Sequence, residues 1–301
     1  MVLLNLKVKM TNNLKIFDWG KKSYVMGIIN LTPDSFSGDG ILSEQDNVKN
    51  ALHKAEQFLK DGADIIDIGA ESSRPGYQPV STFVETERLL PVLKAIIKAN
   101  LGCTISVDTY KPQVAKQCLE NGADWINDIW GLSKRNGLAE ILANYGNPVI
   151  LMHNRSNNKE VKANDRLGSS YSGANYTDFM EEIKLEMKEM ISFAISSGIN
   201  KENIIIDPGI GFGKSIDQNL MLINRLDEVK AFGFPVLIGP SRKSFIGQVL
   251  NLPVEERIEG TAGSVSVGIA RGADIIRVHD VKYMVRIAKM CDALIRQNSK
   301  D

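Results

Sequence analysis

Two basic side chains lie at the end of a short apolar stretch near the C-terminus. This stretch, Gly272–Asp280 (GADIIRVHD), is brief and rich in β-branched residues, which favours a buried strand over a helix. Because side chains alternate across a strand, Ile275, Arg277 and His279 share one face. The strand therefore presents an arginine and a histidine on the same side at its far end.

The Gly-Ala-Asp that opens this stretch occurs twice more, each time before an apolar run. One copy begins Gly62–Gly69 (GADIIDIG) and the other begins Gly122–Ile129 (GADWINDI). A segment with helical periodicity precedes each copy. This is the pattern of repeated αβ units.

Eight candidate strands follow one another along the chain, with helical patterns between them. The predicted strands are Val25–Asn30, Asp64–Ala70, Thr104–Thr109, Asp124–Ile129, Pro148–Met152, Asn203–Pro208, Pro235–Gly239 and Ala273–Asp280. The predicted helices include Asn47–Lys60, Thr82–Ala99, Pro112–Glu120, Asp178–Ser197, Ile216–Ala231 and Val281–Arg296. Near-continuous apolar strands that alternate with helices indicate a parallel sheet covered by helices. Eight units predict an α/β protein with a (β/α)8 TIM barrel rather than an open doubly wound sheet.

The segment before the first of these strands has a different pattern. Thr11-Asn12-Asn13 is a turn signal between residues 4–9 and 14–17, which predicts a short N-terminal β-hairpin. No break in composition divides the rest of the chain. We therefore expect a hairpin extension over residues 1–20 and one barrel domain over residues 21–301.

Composition and charge argue against several classes of function. The 301 residues are 43% hydrophobic, and 36 basic side chains balance 36 acidic ones. Without a basic excess there is no reason to expect nucleic-acid binding, and no run of about 18 apolar residues predicts a membrane span. The three cysteines are scattered without a Cys-x-x-Cys spacing. That arrangement excludes a thiolate zinc site and favours a reducing compartment, so we expect a cytoplasmic protein.

In a barrel of this kind, reactive side chains lie at the C-terminal ends of the strands and in the loops that follow. Four hydrogen-bonding residues occupy such positions at the ends of strands 3, 4, 6 and 7, namely Asp108, Asn127, Asp207 and Lys243. A carboxylate can accept two parallel N–H bonds, so this set suits a planar ring with amide and amino edges. Any one of these residues alone could instead be a helix cap or a turn former with no ligand contact.

A second group of residues at the same ends is suited to phosphate. Ser73, Arg74, Arg277 and His279 offer a hydroxyl, two guanidinium groups and an imidazole, and these groups can bind a diphosphate. Asn30 could add a neutral oxygen to the phosphate oxygens around Mg²⁺, which takes few protein ligands. A simple turn asparagine is the alternative for Asn30.

Three loops are less easily interpreted. Leu31–Ile41 and Glu71–Pro79 are rich in Gly, Pro and Ser, and they could be lids over the site. Gly209–Ser215 (GIGFGKS) ends like a P-loop, but the position that should begin that motif is Pro208. It is therefore a glycine-rich loop whose amides could approach a ligand. His153, at the end of strand 5, has no role that the sequence assigns.

Six segments, taken in order, resemble the signatures of the dihydropteroate synthase family. They are Met26–Ser37 (MGIINLTPDSFS), Ile68–Gly76 (IGAESSRPG), Ser106–Thr109, Asp207–Lys214, Ser241–Ser244 and Arg277–Asp280. The resemblance runs from about Val25 to the C-terminus. In the second segment, Ala70 and Ser73 stand where the family usually has glycine and threonine, and serine keeps the hydroxyl.

The resemblance implies a transferase of folate biosynthesis, a target of sulfonamides, that joins 6-hydroxymethyl-7,8-dihydropterin diphosphate to 4-aminobenzoate. The products would be 7,8-dihydropteroate and pyrophosphate, and the enzyme would be a homodimer that uses Mg²⁺. The implied pterin contacts are Asp108, Asn127, Ile129, Met152, Asp207, Lys243 and Arg277. The diphosphate would contact Asn30, Ser73, Arg74, Arg277 and His279, with Asn30 also on the metal; the aminobenzoate would contact Phe36, Pro75, Phe212, Lys243 and Ser244. Asp108, Lys243 and Arg277 are the implied catalytic residues.

A dissociative substitution suits these residues. The diphosphate would leave as an anion, and two guanidinium groups, with Mg²⁺ where it is bound, would stabilise the charge that develops on it. The pterin methylene left behind is a benzylic-like cation, which the ring nitrogens and Asp108 stabilise. An arylamine is already nucleophilic when neutral, so no strong base is needed.

Three alternatives remain open from the sequence. A methyltetrahydrofolate:corrinoid methyltransferase would share the pterin contacts but would not need Arg277 and His279 for a diphosphate. A catalytically silent relative would bind pterin for a structural or regulatory purpose. A phosphate-binding barrel isomerase would usually hold its phosphate with glycine loops after strands 7 and 8.

Overall fold

The computed structural model describes residues 14, 17–32, 44–72, 76–157, 161–162, 164 and 166–296. Eight parallel strands form one sheet: β1 (Tyr24–Asn30), β2 (Ile65–Gly69), β3 (Thr104–Asp108), β4 (Trp125–Asp128), β5 (Val149–Met152), β6 (Ile204–Asp207), β7 (Leu237–Ile238) and β8 (Ile275–Val278). In the sheet β8 pairs with both β1 and β7, and a parallel bridge between Ile206 and Val236 joins β6 to the start of β7. The sheet closes on itself, so the prediction of a (β/α)8 barrel is confirmed.

Helices cover the outside of the barrel in the described part of the chain. They are α1 (Glu44–Lys60), α2 (Thr82–Ala99), α3 (Pro112–Glu120), α4 (Leu138–Tyr145), α5 (Phe179–Ser196), α6 (Ile216–Asn224), α7 (Leu226–Lys230), α8 (Ser244–Leu250), α9 (Ile258–Ala270) and α10 (Val281–Ile295). The single helix predicted over Ile216–Ala231 is wrong, because the backbone of Arg225 leaves the helical region at φ −109° and ψ 27°. Among these helices none is long and apolar enough to cross a membrane.

Side chains that point into the barrel form an apolar layer beneath a polar one. The apolar layer is a buried cluster of Met26, Ile65, Trp125, Ile150, Ile205, Leu237 and Ile275. Two positions further along a strand, alternation returns the side chain to the interior. Those positions include Asp67, Asn127, Asp207 and Arg277. The barrel is therefore filled near its N-terminal end and becomes polar toward its C-terminal rim.

The N-terminal hairpin predicted over residues 1–20 falls mostly outside the described residues, which include only 14 and 17–20 of that range. Leu14 and Phe17 are buried against the apolar layer, and the Phe17 and Trp125 rings are 5.1 Å apart. They lie at the N-terminal end of the barrel. The division into a hairpin and a barrel domain over residues 21–301 stays a prediction.

The three Gly-Ala-Asp copies share one structural role at the N-terminal end of the barrel. Each glycine ends the preceding helix in the left-handed region, with φ of 101°, 98° and 103° in chain order, where glycine is favoured. Each aspartate accepts a hydrogen bond from the backbone amide of a neighbouring strand: Asp64 from Val25 at 2.9 Å, Asp124 from Ile105 at 2.9 Å and Asp274 from Val236 at 2.8 Å. The repeat therefore joins adjacent αβ units.

Replacing Asp274 tests this role. Its carboxylate is fully buried, and Oδ2 accepts bonds from the Val236 amide at 2.8 Å and from Lys230 Nζ at 2.5 Å. Asp274→Ala leaves a buried amide without an acceptor, so we expect the free energy of unfolding to fall by about 1–3 kcal/mol in urea denaturation. Asp274→Asn keeps an acceptor, so its free energy of unfolding should fall less. Equal decreases in the two variants would show that the bond from the Val236 amide contributes little to stability.

Candidate active site

Arg277 is the centre of an ion-pair network at the upper end of the barrel interior. Its Nε donates to Asp67 Oδ2 at 2.6 Å, and its Nη2 donates to Asp108 Oδ2 at 2.7 Å. The Asp67 side chain is fully buried, whereas 19% of the Arg277 side chain is exposed, so the guanidinium still faces the rim. Burial alone would lower the pKa of Arg277, but the two carboxylates outweigh it and raise that pKa. Arg277 is therefore a fixed positive charge.

Asp67 is a member of this network that the sequence analysis did not select. Its Oδ2 also accepts a bond from Asn127 Nδ2 at 3.3 Å, and its Oδ1 has no hydrogen-bond partner among the described residues. One buried carboxylate thus orients both Arg277 and Asn127. A signal was present in the sequence, because Asp67 follows Ile65 by two positions and must share its inward face.

Strand register places the predicted ring-binding residues side by side. Asp108 lies opposite Asn127 in the β3–β4 pair, and Met152 lies opposite Asp207 in the β5–β6 pair. Asp207 Oδ1 accepts a bond from the Gly209 amide at 2.7 Å, which fixes the carboxylate as the chain leaves β6. Burial raises the pKa of Asp207 to about 6, although the Gly209 amide and the Lys243 charge oppose the rise. Burial also raises the pKa of Asp108, against the opposing effect of Arg277.

Lys243 approaches these carboxylates from the loop after β7. Its Nζ lies 3.9 Å from the centre of the Phe212 ring, a cation–π contact. Burial, followed by the charge of Arg277, lowers the pKa of Lys243 to about 8, so the amine remains mostly protonated at neutral pH. Gly211 has a φ of 82°, and a Cβ there would lie 2.8 Å from Lys243 Cδ, so both the backbone and the contact favour glycine. The next residue after Lys243, Ser244, is the first of α8.

His279 lies beside Arg277 beyond the end of β8. The Nδ1 of His279 is 3.0 Å from Ser241 Oγ, and its backbone amide donates to the same oxygen at 3.2 Å. Burial, and then the charge of Arg277, lowers the pKa of His279 to about 3. The neighbouring Arg242 is bound by Asp280 through two hydrogen bonds of 2.8 and 2.6 Å. Thus the imidazole is a neutral hydrogen-bonding group, and the positive charge of this pair comes from Arg277.

The donor atoms at Asn30 can be compared with those that the predicted Mg²⁺ requires. Asn30 ends β1, in register with Gly69 of β2. Within the described residues, no group of three or more His, Cys, Asp or Glu side chains could hold a metal ion. A single neutral amide oxygen fits Mg²⁺, which keeps several waters and takes further oxygens from phosphate. The same donor set does not fit a metal held mainly by protein side chains.

The remaining predicted residues divide into two sets. Met152 is buried, and the Ile129 carbonyl accepts a bond from Asn154 Nδ2 at 2.8 Å, which holds the loop after β4 near the end of β5. Four predicted contacts lie outside the described residues: Phe36, Ser73, Arg74 and Pro75. Their roles stay predictions.

The class of protein follows from these features. A closed parallel barrel with carboxylates, an amide and two half-buried cations at its C-terminal rim is a (β/α)8-barrel enzyme. The pterin binding enzyme family matches residues 26–279, and the chain belongs to that family.

Known proteins narrow the class further. A dihydropteroate synthase of Clostridium beijerinckii is 46% identical over 284 residues, which are 94% of this chain and 98% of that protein. A crystal structure of dihydropteroate synthase from Clostridium difficile, obtained in the presence of pteroic acid, aligns with a TM-score of 0.83 at 43% identity over 93% of this chain and all of that one. The Xanthomonas albilineans dihydropteroate synthase, solved with 4-aminobenzoic acid, aligns with a TM-score of 0.82 at 34% identity over 91% and 94% of the two chains. The chain groups with the dihydropteroate synthases, transferases of folate synthesis, and the predicted resemblance is confirmed.

Proposed function

We propose that this chain condenses 6-hydroxymethyl-7,8-dihydropterin diphosphate with 4-aminobenzoate, releasing 7,8-dihydropteroate and pyrophosphate. The observation that carries the proposal is the pairing of Arg277 with Asp67 and Asp108 beneath the rim. It fixes one permanent cation next to a row of groups that can bind the edge of a pterin. Membership of the pterin binding enzyme family supports the substrate class.

One set of residues binds the pterin ring, and another binds the diphosphate leaving group. Asp207 and Asn127 bind the amide and amino edge of the pterin, with Asp108 at its side. Arg277 and His279 bind the diphosphate, and Arg277 stabilises the negative charge that grows on it as the C–O bond breaks. Asp108, whose Oδ2 accepts a 2.7 Å bond from Arg277, stabilises the cationic pterin methylene that remains.

The second substrate enters beside Lys243 and Phe212. The ammonium group of Lys243 can bind the carboxylate of 4-aminobenzoate, and the Phe212 ring, 3.9 Å from that nitrogen, packs against the aromatic ring. The neutral arylamine then attacks the methylene carbon, and the N–H proton is lost to water. Asn30 would hold Mg²⁺ by its amide oxygen, and the ion, when bound, would neutralise phosphate charge.

Pyrophosphate release by the purified protein tests the proposal. We expect release from the dihydropterin diphosphate that requires both 4-aminobenzoate and Mg²⁺ and that yields an equal amount of dihydropteroate. Release that does not depend on the amine would indicate a hydrolase. Tight pterin binding without release would instead favour a methyltransferase or a silent relative, which a corrinoid-protein assay would separate.

The affinity for pterin should depend on pH through Asp207. Burial raises the pKa of this carboxylate from 3.8 to about 6, and the pterin edge needs the ionised form as acceptor. Affinity should therefore fall about tenfold per pH unit below pH 6. Stability changes in the opposite direction: this group's contribution to the free energy of unfolding is full below pH 3.8 and is lost as pH rises through about 6. Fluorescence titration with pterin across roughly pH 5 to 8 measures the effect, and a flat profile would contradict it.

A homodimer in the cytoplasm completes the proposal. Tyr283, Met290 and Leu294 are exposed on α10, and their spacing of seven and four residues places them on one helix face. An apolar face of this kind supports a partner subunit. Light scattering should give about twice the 33.2 kDa chain mass, and a value near that of one chain would exclude the dimer.

The proposed cytoplasmic location rests on the cysteines. All three, Cys103, Cys118 and Cys291, are free, which suits a reducing compartment.

A further inference from the structure

A lysine and a histidine are buried behind the loop that follows β6, where the proposed reaction does not use them. Lys214 is 3% exposed and His153 is 5% exposed. Lys214 Nζ donates to the carbonyl oxygens of Gly209 at 3.0 Å and Phe212 at 3.2 Å, and it lies 3.1 Å from His153 Nδ1. This amine therefore has three neighbours within hydrogen-bond distance, all inside the protein.

The protonation of this pair follows from Glu186 on α5. His153 Nε2 is 2.7 Å from Glu186 Oε2, and an ionised carboxylate can only accept, so Nε2 carries the proton. His153 Nδ1 is then an acceptor. Burial lowers the pKa of Lys214 to about 7, but all three neighbours of its Nζ are acceptors, and only the ammonium form satisfies all of them. Arg155 holds the same carboxylate through a bond of 2.8 Å from Nε to Oε1, so the chain of bonds ends on a helix.

The two carbonyl groups that Lys214 binds belong to residues that also contact the site. The Gly209 amide fixes the Asp207 carboxylate at 2.7 Å, and the Phe212 ring lies 3.9 Å from Lys243 Nζ. The loop that carries both residues contains Gly209, Gly211 and Gly213, with φ of 75°, 82° and 63°. Glycines give a loop little stiffness of its own. The bonds from Lys214 therefore hold this loop together with two others: the Gly211 amide donates to Asn219 Oδ1 at 2.6 Å, and the Gly213 carbonyl accepts from the Ala174 amide at 2.9 Å.

We propose that Lys214 and His153 are positioning residues for the transfer reaction. His153 sets the orientation of the ammonium group, and the ammonium group holds the loop so that Asp207 meets the pterin and Phe212 meets the aminobenzoate. This inference rests on the proposed function, because it assigns a role in that reaction to residues that touch neither substrate. It also explains the lysine of the motif that failed as a P-loop: this lysine binds the carbonyl groups of its own loop.

Three substitutions of His153 separate positioning from packing. In His153→Asn the amide oxygen can occupy the place of Nδ1 and accept from Lys214. In His153→Gln the amide nitrogen can occupy the place of Nε2 and donate to Glu186, but the acceptor for Lys214 is lost. His153→Leu loses both. We expect the Gln and Leu variants to raise KM for 4-aminobenzoate and Kd for pterin by about 10- to 100-fold, and the Asn variant to retain most of the wild-type values.

Thermal unfolding and hydrogen exchange complete the test. The increases in KM and Kd should correlate with the absence of an acceptor at the Nδ1 position. If they correlate instead with lower melting temperatures of the variants, the positioning role is wrong. Hydrogen exchange of the 209–214 peptide without substrates should be faster in the Gln and Leu variants than in wild type and Asn. Equal exchange in all four proteins would overturn the inference. An inactive wild type that still shows this exchange pattern would reject the proposed function alone, and Lys214→Met should reproduce the Gln result.

Discussion

Arg277→Met is expected to reduce the rate of transfer by about 100- to 1,000-fold and to lower stability at the same time. The substitution removes the cation that we propose stabilises the leaving diphosphate. It also leaves Asp67, which is fully buried, and Asp108 without their 2.6 and 2.7 Å partners. Breaking a buried pair by removing one member costs about 3–5 kcal/mol. Steady-state pyrophosphate release and urea denaturation measure the two effects.

A second substitution separates the two effects. Asp67→Asn in the Arg277→Met background removes the buried charge that has lost its partner, while its side chain can still bond to Asn127. The double variant should therefore recover a large part of the lost stability but none of the lost activity. If activity returns together with stability, Arg277 acts only through the fold and does not belong to the diphosphate site.

The sequence was sufficient to predict the rim of the barrel because the rim depends on local patterns. Asp108, Asn127 and Asp207 each end an apolar strand or stand next to its end, and the carboxyl ends of parallel strands meet at one edge. A strand ends where its apolar run ends, so position along the chain translates directly into position at the rim. The structure brings these residues together as that argument requires.

The pairing within the site depends on contacts between distant parts of the chain. Asp67 and Arg277 are 210 positions apart, and no periodicity links them. The charge of His279 could not be predicted from the sequence for the same reason, and there it was counted as a basic residue. Its pKa of about 3 arises from burial and from nearby cations, Arg277 first, which only the assembled barrel provides.

The helix α9 shows how tertiary packing overrides local propensity. Ile258–Ala270 (IEGTAGSVSVGIA) contains three glycines and several β-branched residues, which are poor helix formers, and it was not among the predicted helices. Two of the glycines serve close packing: a Cβ on Gly260 would overlap Ile246 of α8, and a Cβ on Gly268 would overlap Ile238 of β7. This helix is stabilised by contacts that a propensity scale does not include.

Asp207→Ala is expected to abolish measurable pterin binding and to affect 4-aminobenzoate binding much less. Asp207→Asn is the more informative variant, because its amide oxygen can still accept the Gly209 bond of 2.7 Å. The variant loses only the charge of the carboxylate that we propose accepts bonds from the pterin edge. A hydrogen bond to a charged group contributes about 1.5–3 kcal/mol, so we expect pterin affinity to fall by about 10- to 100-fold in calorimetric titration.

Asp128→Asn is the matched control for this substitution. Asp128 is also buried, and burial raises its pKa to about 6. Its carboxylate, however, accepts bonds from the backbone amides of Trp130 at 2.9 Å and Leu132 at 2.6 Å, which belong to the loop after β4. Neutralising it should change stability and leave pterin affinity near the wild-type value. If both asparagine variants lose pterin affinity equally, the loss reflects a general effect of removing buried charge, and Asp207 is not the pterin acceptor.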